Sequence, residues 1–172
     1  MFTGEQLAAM ISDVFFLHQA QARTPEKAFR RFDGVTPYGV HPTLAATIFL
    51  HEESLPEDFR MCGCKALLAH DLFEDTNITG FPRWCDNQVT RNLVSELTFI
   101  EGEDPSVEIW NRSDQAKLLK FYDVVINLMC VGKMAPERIQ YRYEQAKIHL
   151  AWVHEHYPKL EIVKIAKGLL EV

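Results

Sequence analysis

One histidine and three carboxylates lie within the six consecutive positions 70 to 75 of this chain. His70, Asp71, Glu74 and Asp75 directly follow an apolar segment at residues 66–69. On an α-helix, which turns by about 100° per residue, these four side chains fall within an arc of about 140°. The spacing therefore predicts a helix that packs through its apolar face and presents nitrogen and oxygen ligands on the other face.

A divalent metal needs more ligands than two neighbouring residues can supply. His41 lies at a predicted helix start, with Pro42 in the first helical position. Asp123 lies in a segment, residues 118–131, that is apolar almost all round and is therefore predicted to be buried. A buried carboxylate is costly unless it is paired or binds a cation, and Asn127, one turn later, projects from the same face. A bound metal would explain both the placement and the spacing.

The order of these residues resembles the HD superfamily of metal-dependent phosphohydrolases. Four blocks, at residues 38–42, 66–76, 93–98 and 120–128, are similar in order and approximate spacing to the hydrolase domain of RelA/SpoT proteins. The resemblance runs from about residue 18 to residue 128, and the last forty or so residues add no motif. The Glu-Asp pair that follows the His-Asp pair is the most specific part of this resemblance.

The resemblance implies a manganese-dependent hydrolase of the stringent response. Such an enzyme removes pyrophosphate from the ribose 3′ position of the guanosine alarmones ppGpp and pppGpp, leaving GDP or GTP. By resemblance, Glu74 and Asp75 would orient and deprotonate the attacking water, and Asn127 would contact the substrate. The metal ligands implied in the same way are His41, His70, Asp71 and Asp123.

The basic residues depart from the family pattern. This departure affects the expected recognition of the substrate more than the expected hydrolytic chemistry. Val124 follows Asp123 where the family often has Arg or Lys, and Arg23 is a single basic residue where a run is common. We predict that Arg23 and Tyr38 contact the substrate, although Tyr38 could instead be buried with its hydroxyl bonded. The long connection at residues 23–37 is either a substrate lid or a solvated loop. Its cations Lys27, Arg30 and Arg31 could supply the charge that neutralises phosphate.

Three functions are therefore compatible with the sequence. The first is hydrolysis of the alarmone 3′-pyrophosphate. The second uses the same metal chemistry on another phosphorylated nucleotide, such as a deoxynucleotide or the 2′- or 3′-phosphate of an NADPH-like dinucleotide. The third is a non-catalytic nucleotide-binding module, which the presence of both Glu74 and Asp75 disfavours.

Length and composition predict one domain, residues 1–172, with no room for a synthetase domain. A net charge of −6 without a basic stripe disfavours nucleic-acid polymers and agrees with a small-molecule nucleotide as the partner. We expect a cytoplasmic protein, because the N-terminus lacks the features of a signal and no stretch is long enough to span a bilayer. The four cysteines are predicted to be reduced, largely buried thiols. The oligomeric state is left open.

Hydrophobic periodicity predicts helices throughout, with prolines between them or at their starts. We expect an all-α HD-domain bundle of six to eight helices. Their predicted bounds are about 4–22, 42–53, 57–73, 86–100, 112–132 and 136–156, with a shorter helix after Pro158.

Overall fold

The computed structural model describes residues 2–130 and 134–171. Within these residues the chain forms seven α-helices of ten or more residues, two single-turn α-helices and two short 3₁₀ turns, Pro25–Ala28 and Ile109–Asn111. No strand occurs in the described part of the chain, which contains only isolated β-bridges. The helices are α1 (Gly4–Ala20), α2 (Val40–Leu50), α3 (Glu57–Ala69), α4 (Leu72–Asp75), α5 (Gln88–Leu97), α6 (Pro105–Glu108), α7 (Asp114–Leu128), α8 (Pro136–His156) and α9 (Glu161–Leu170).

The all-α prediction is confirmed, and the seven longer helices lie within the predicted six to eight. α8 has the predicted bounds, and α1 and α3 end two and four residues earlier than predicted. α5 and α7 are shorter than predicted at both ends, and α2 begins two residues earlier and ends three residues earlier. The helix predicted for residues 112–132 ends at Leu128, and positions 131–132 of that prediction lie outside the described residues.

The largest difference from prediction is a break in the helix expected over residues 57–73. α3 ends at Ala69, and the single turn α4 begins at Leu72. At the break, the Nδ1 atom of His70 lies 2.7 Å from the Leu67 carbonyl oxygen. In a continuous helix that oxygen would accept from the Asp71 amide, so the imidazole replaces a backbone partner. The break thus sets the orientation of the His-Asp pair.

α3 and α7 form the centre of the bundle. Eleven of the fifteen residues of α7 are buried, as its nearly continuous apolar sequence predicted. α3 packs against α2 and α5, and α7 packs against α2 and α8. α2 and α3 approach closely at Gly63, where a Cβ atom would lie 2.3 Å from the Phe49 ring. This central packing holds the helix faces that carry the predicted ligands.

The buried carboxylate of Glu52 joins three parts of the bundle. Its Oε1 accepts from the Tyr122 hydroxyl at 2.7 Å and from the Ile162 amide at 3.0 Å. Its Oε2 accepts from the Glu161 amide at 2.9 Å. Two of these donors are backbone N–H groups in the first turn of α9, which have no partner within the helix. Glu52 therefore ties the N-terminus of α9 to α7.

Every helix of the described residues is too short or too polar to cross a lipid bilayer. All four cysteines are free thiols. Cys64 and Cys85 are buried as predicted, whereas Cys62 and Cys130 are only partly buried.

We predict that Glu52→Ala destabilises the fold by about 3 kcal/mol, because it leaves a buried hydroxyl and two helix N–H groups without an acceptor. Urea denaturation of the two proteins measures the difference. The neighbouring Glu53 is exposed, so Glu53→Ala is a matched control that should change stability by no more than about 0.5 kcal/mol. Equal stability of both variants would show that the Glu52 network contributes nothing.

Candidate metal centre and cavity

The four predicted metal ligands come from separate places in the fold and meet in the interior. His41 lies in the first turn of α2, His70 and Asp71 join α3 to α4, and Asp123 lies in the third turn of α7. The His41 Nε2 atom lies 2.8 Å from Asp123 Oδ1 and 3.7 Å from Asp71 Oδ2. The His70 Nε2 atom lies 3.0 Å from Asp71 Oδ2 and 3.8 Å from Asp123 Oδ1. The structure thus brings these four side chains together.

The imidazole of His70 shows that this cluster fits a cation. Because the Leu67 carbonyl oxygen can only accept, we assign the ring proton to Nδ1, which leaves a lone pair on Nε2 of the neutral ring. That Nε2 atom is buried and has no hydrogen-bond partner in the part of the chain that the structure describes. It faces a carboxylate oxygen of Asp71, so the two lone pairs repel each other unless a proton or a metal binds.

The donor atoms have the chemistry of a divalent-metal site. One ligand atom from each of His41, His70 and Asp71 lies within 4.8 Å of the others. Two imidazoles combined with carboxylates suit manganese, iron, cobalt or zinc. These residues could therefore hold a metal ion, with Asp123 as a fourth ligand.

The pKa shifts of His70, Asp71 and Asp123 show that positive charge is favoured among them, whereas burial lowers the pKa of His41. Burial lowers the pKa of His70, but Asp71 and Asp123 outweigh burial and raise it well above its usual value. Burial opposes ionisation of both aspartates, yet His70 lowers the pKa of Asp71, and Lys120 lowers that of Asp123. Both carboxylates therefore stay ionised, and a protonated histidine or a divalent cation can neutralise them.

Glu74 lies beside the cluster with one carboxylate oxygen held by the backbone. The Phe99 amide donates to Glu74 Oε1 at 2.8 Å, which joins α4 to the segment after α5. Burial, and then the charge of Asp71, raises the pKa of Glu74 to about 7. A carboxyl group with a pKa near neutrality can both accept and release a proton at physiological pH.

Asp75 has a different partner from its neighbour Glu74. The ammonium of Lys27 lies 2.6 Å from Asp75 Oδ1. Burial and Asp71 raise the pKa of Asp75, whereas the hydrogen bond from Lys27 opposes that rise. The two predicted catalytic carboxylates are therefore held by different groups, a backbone amide for one and an ammonium for the other.

Asn127 lies on the same face of α7 as Asp123, as the sequence predicted. Its Nδ2 donates to Asp123 Oδ1 at 2.7 Å, and its Oδ1 accepts from the buried guanidinium of Arg30 at 2.6 Å. The other carboxylate oxygen of Asp123 lies 2.7 Å from the Lys120 ammonium. Asn127 therefore orients Asp123, one of the four predicted metal ligands, and connects it to Arg30, which lines the cavity.

The hydroxyl of Tyr38 is hydrogen-bonded within the protein, which is one of the two alternatives predicted for this residue. Its hydroxyl donates to Asp71 Oδ2 at 2.8 Å. Its ring packs 4.7 Å from the buried ring of His18 and lies 5.2 Å from the Arg30 guanidinium. One side of Tyr38 still lines the cavity, so contact with a ligand is also open to it.

The structure does not bring Arg23 into the cavity. Its guanidinium donates to the backbone carbonyls of Phe73 and Thr76. Its own amide donates to the Asp75 carbonyl at 2.9 Å. Arg23 therefore braces the backbone of α4 from outside the cavity.

A cavity of about 470 Å³ opens beside the metal-type cluster. The connection at residues 23–37, predicted as either a lid or a solvated loop, forms part of one wall. The four carboxylates in the lining are Asp71, Glu74, Asp75 and Asp123. The six cations in the lining are Lys27, Arg30, Arg31, Lys120, Arg138 and Arg142.

The sequence analysis missed the contribution of α8 to this cavity. Arg138, Arg142, Gln145 and His149 line it from one face of that helix. Their spacing of four, three and four residues is that of a single helical face, which is the signal that could have found them. His149, one of these four residues, is buried in the cavity wall, where its ring packs 4.9 Å from that of Trp110.

Comparison with solved structures finds a similar structure, that of a metazoan ortholog of SpoT. That protein hydrolyses ppGpp and plays a role in starvation responses. The two structures have a TM-score of 0.70 over 99% of this chain and 97% of the other, at 19% sequence identity. The chain has the all-α HD-domain fold. No protein-family model and no curated protein sequence matches the chain, so the likeness lies in the fold.

We predict that Asp71→Ala and Asp123→Ala each weaken metal binding by at least about 100-fold, because each removes a charged ligand from the cluster. Titration of the metal-free proteins with Mn(II) measures the affinity, and circular dichroism checks that the variants fold. The exposed Asp86 lies outside the cavity lining, so Asp86→Ala should bind metal like the unaltered protein. Tight binding by the Asp123 variant would remove that residue from the metal site.

Proposed function

We propose that this protein is a metal-dependent hydrolase that removes pyrophosphate from the 3′ position of ppGpp or pppGpp. The observation that carries the proposal is the Nε2 atom of His70, which is buried among carboxylates and has no hydrogen-bond partner among the described residues, with Glu74 beside it. The fold shared with a ppGpp-hydrolysing protein supports the same reaction.

His41, His70, Asp71 and Asp123 would hold the metal, for which we propose Mn(II). A divalent cation at this position supplies Lewis-acid polarisation of a phosphoryl oxygen and makes water more acidic. Asn127 and Lys120 would keep the Asp123 carboxylate in place through the bonds described above.

In the proposed reaction, a water oxygen adds to the phosphorus that is attached to the ribose 3′ oxygen. Glu74 Oε2 accepts the proton that the water loses, because the Phe99 amide already occupies Oε1. Asp75, the next residue, orients the water by accepting its other hydrogen. The bond between phosphorus and the 3′ oxygen breaks, and the proton held by Glu74 passes to that oxygen. Pyrophosphate and GDP or GTP are released.

The arginines of the cavity support a substrate with more than one phosphate group. Burial lowers the pKa of Arg138, and the charges of Arg142, Arg31 and Arg30 lower it further. Guanidinium groups that line one cavity repel one another and are stabilised by an anion between them. A nucleotide with a second phosphorylated position, such as the 5′-diphosphate of ppGpp, would supply that anion while its 3′ end lies at the carboxylates.

The proposal extends to the setting in which the protein acts. The similar solved protein plays a role in starvation responses. We therefore propose that this chain degrades alarmone in the cytoplasm during the stringent response.

The first test is to incubate the purified protein with ppGpp, with and without Mn(II), and to identify the products. We expect manganese-dependent release of equal amounts of GDP and pyrophosphate. NADPH and deoxynucleoside triphosphates are run in parallel as alternative substrates. Inorganic phosphate released from NADPH, with ppGpp intact, would reassign the substrate, and bound metal without turnover of any nucleotide would favour the binding module.

The second test is Glu74→Gln, which removes the proton acceptor while keeping the shape of the side chain. We expect kcat to fall by about 100-fold or more with little change in Mn(II) affinity, because Glu74 is not a proposed ligand. Glu96→Gln is a matched control, since Glu96 does not line the cavity. A fully active Glu74 variant would show that another group accepts the proton.

A further inference from the structure

The segment that follows α1 is attached to α4, the single turn that carries both proposed catalytic carboxylates. Ala22 forms a β-bridge with Thr76, and the Asn77 amide donates to the Gln21 carbonyl at 2.8 Å. The backbone and side chain of Arg23 donate to three carbonyls of the turn and its end. A four-residue helix has too few internal hydrogen bonds to stabilise itself. The segment after α1 therefore determines where α4 lies.

Lys27 extends this attachment into the cavity. It lies in the 3₁₀ turn Pro25–Ala28, and its ammonium contacts α4 twice. The Nζ atom lies 2.6 Å from Asp75 Oδ1 and donates to the Glu74 carbonyl at 2.7 Å. Both side chains of the ion pair are largely enclosed, with exposed fractions of 27% for Lys27 and 15% for Asp75.

The charges around Asp75 explain why such a contact matters. Asp71 and Glu74 lie within four residues of Asp75, and like charges this close repel one another. Lys120 pairs with Asp123, and Arg30 donates to Asn127, so these two cations have other partners. Among the described residues, Lys27 is the cation that forms an ion pair with Asp75. Without it, Asp75 would keep the weaker hydrogen bond from Tyr38 but would have no cation to offset the repulsion of its neighbours.

We propose that Lys27 is a positioning residue, which fixes the Asp75 carboxylate at the cavity edge so that Asp75 can orient the attacking water. This inference rests on the proposed function of the site. It assigns a catalytic consequence to the segment at residues 22–29, which lines part of the cavity and is attached to α4. A different role, direct binding of a substrate phosphate by the ammonium, would leave Asp75 uninvolved.

The test compares Lys27→Met, Lys27→Arg, Asp75→Asn and the Lys27→Met/Asp75→Asn double variant in steady-state hydrolysis of ppGpp with saturating Mn(II). We expect Lys27→Met to lower kcat by about tenfold and to change KM by less than about twofold. Lys27→Arg keeps the charge and should restore kcat to within about threefold of the unaltered protein. The double variant should be no slower than Asp75→Asn, because Lys27 acts through Asp75.

Lys65→Met is the matched control. Lys65 forms an equally short ion pair, 2.6 Å, with Asp86, and neither residue lines this cavity. Its kcat and KM should equal those of the unaltered protein. A higher KM with unchanged kcat in Lys27→Met would overturn the proposal in favour of phosphate binding. The proposal would also be overturned if the kcat of the double variant were below that of Asp75→Asn by the same factor that Lys27→Met alone lowers kcat.

The melting temperatures of the unaltered protein, Lys27→Met, Asp75→Asn and the double variant provide a readout that needs no substrate. If Lys27 holds Asp75, the decrease in Tm of the double variant should be smaller than the sum of the two single decreases. If the unaltered protein releases no pyrophosphate from ppGpp, the proposed function fails and the Tm values alone decide. Additive decreases would then overturn the positioning role, and non-additive decreases would support it.

Discussion

The requirement for positive charge beside carboxylates inside a helical core governs this structure. Asp123 is buried within α7, of which eleven of the fifteen residues are buried, and Asp71 lies largely enclosed beside it. Ionised carboxylates in such surroundings cost several kcal/mol unless a cation or hydrogen bonds compensate. Lys120, Asn127 and the hydroxyl of Tyr38 each contribute, but the Nε2 of His70 still faces an oxygen with no hydrogen bond between them. A metal at this point would satisfy the remaining charge.

The break between α3 and α4 shows how the backbone places a side chain in this cluster. By bonding to the Leu67 carbonyl, His70 ends one helix and aims its other nitrogen at the cluster. The short turn that follows carries Glu74 and Asp75, and contacts from outside the turn hold it in place. The Phe99 amide approaches from one side, and the Arg23 and Lys27 side chains approach from the other. The precision of the proposed catalytic pair therefore depends on distant parts of the chain.

The cavity lining combines both kinds of charge. Two of its carboxylates belong to the predicted metal cluster and two lie beside it, each with a specific donor, and several arginines come from α8 and from the connection after α1. This arrangement suits a ligand whose reacting phosphate and binding phosphate are different groups. Such a division lets binding energy at one end position the bond that breaks at the other end.

The sequence by itself determined the helical class, because helical periodicity is a local property. It also indicated His70, Asp71, Glu74 and Asp75 as candidate site residues, because their close spacing is visible without the fold. Asp123 was also visible, since a carboxylate in an otherwise apolar helix is an anomaly in any fold. Only the tertiary structure decided the helix break, the exclusion of Arg23 from the cavity and the contribution of α8. It also paired Lys27 with Asp75. These depend on which side chains meet across long separations in sequence, and packing sets those meetings rather than local pattern.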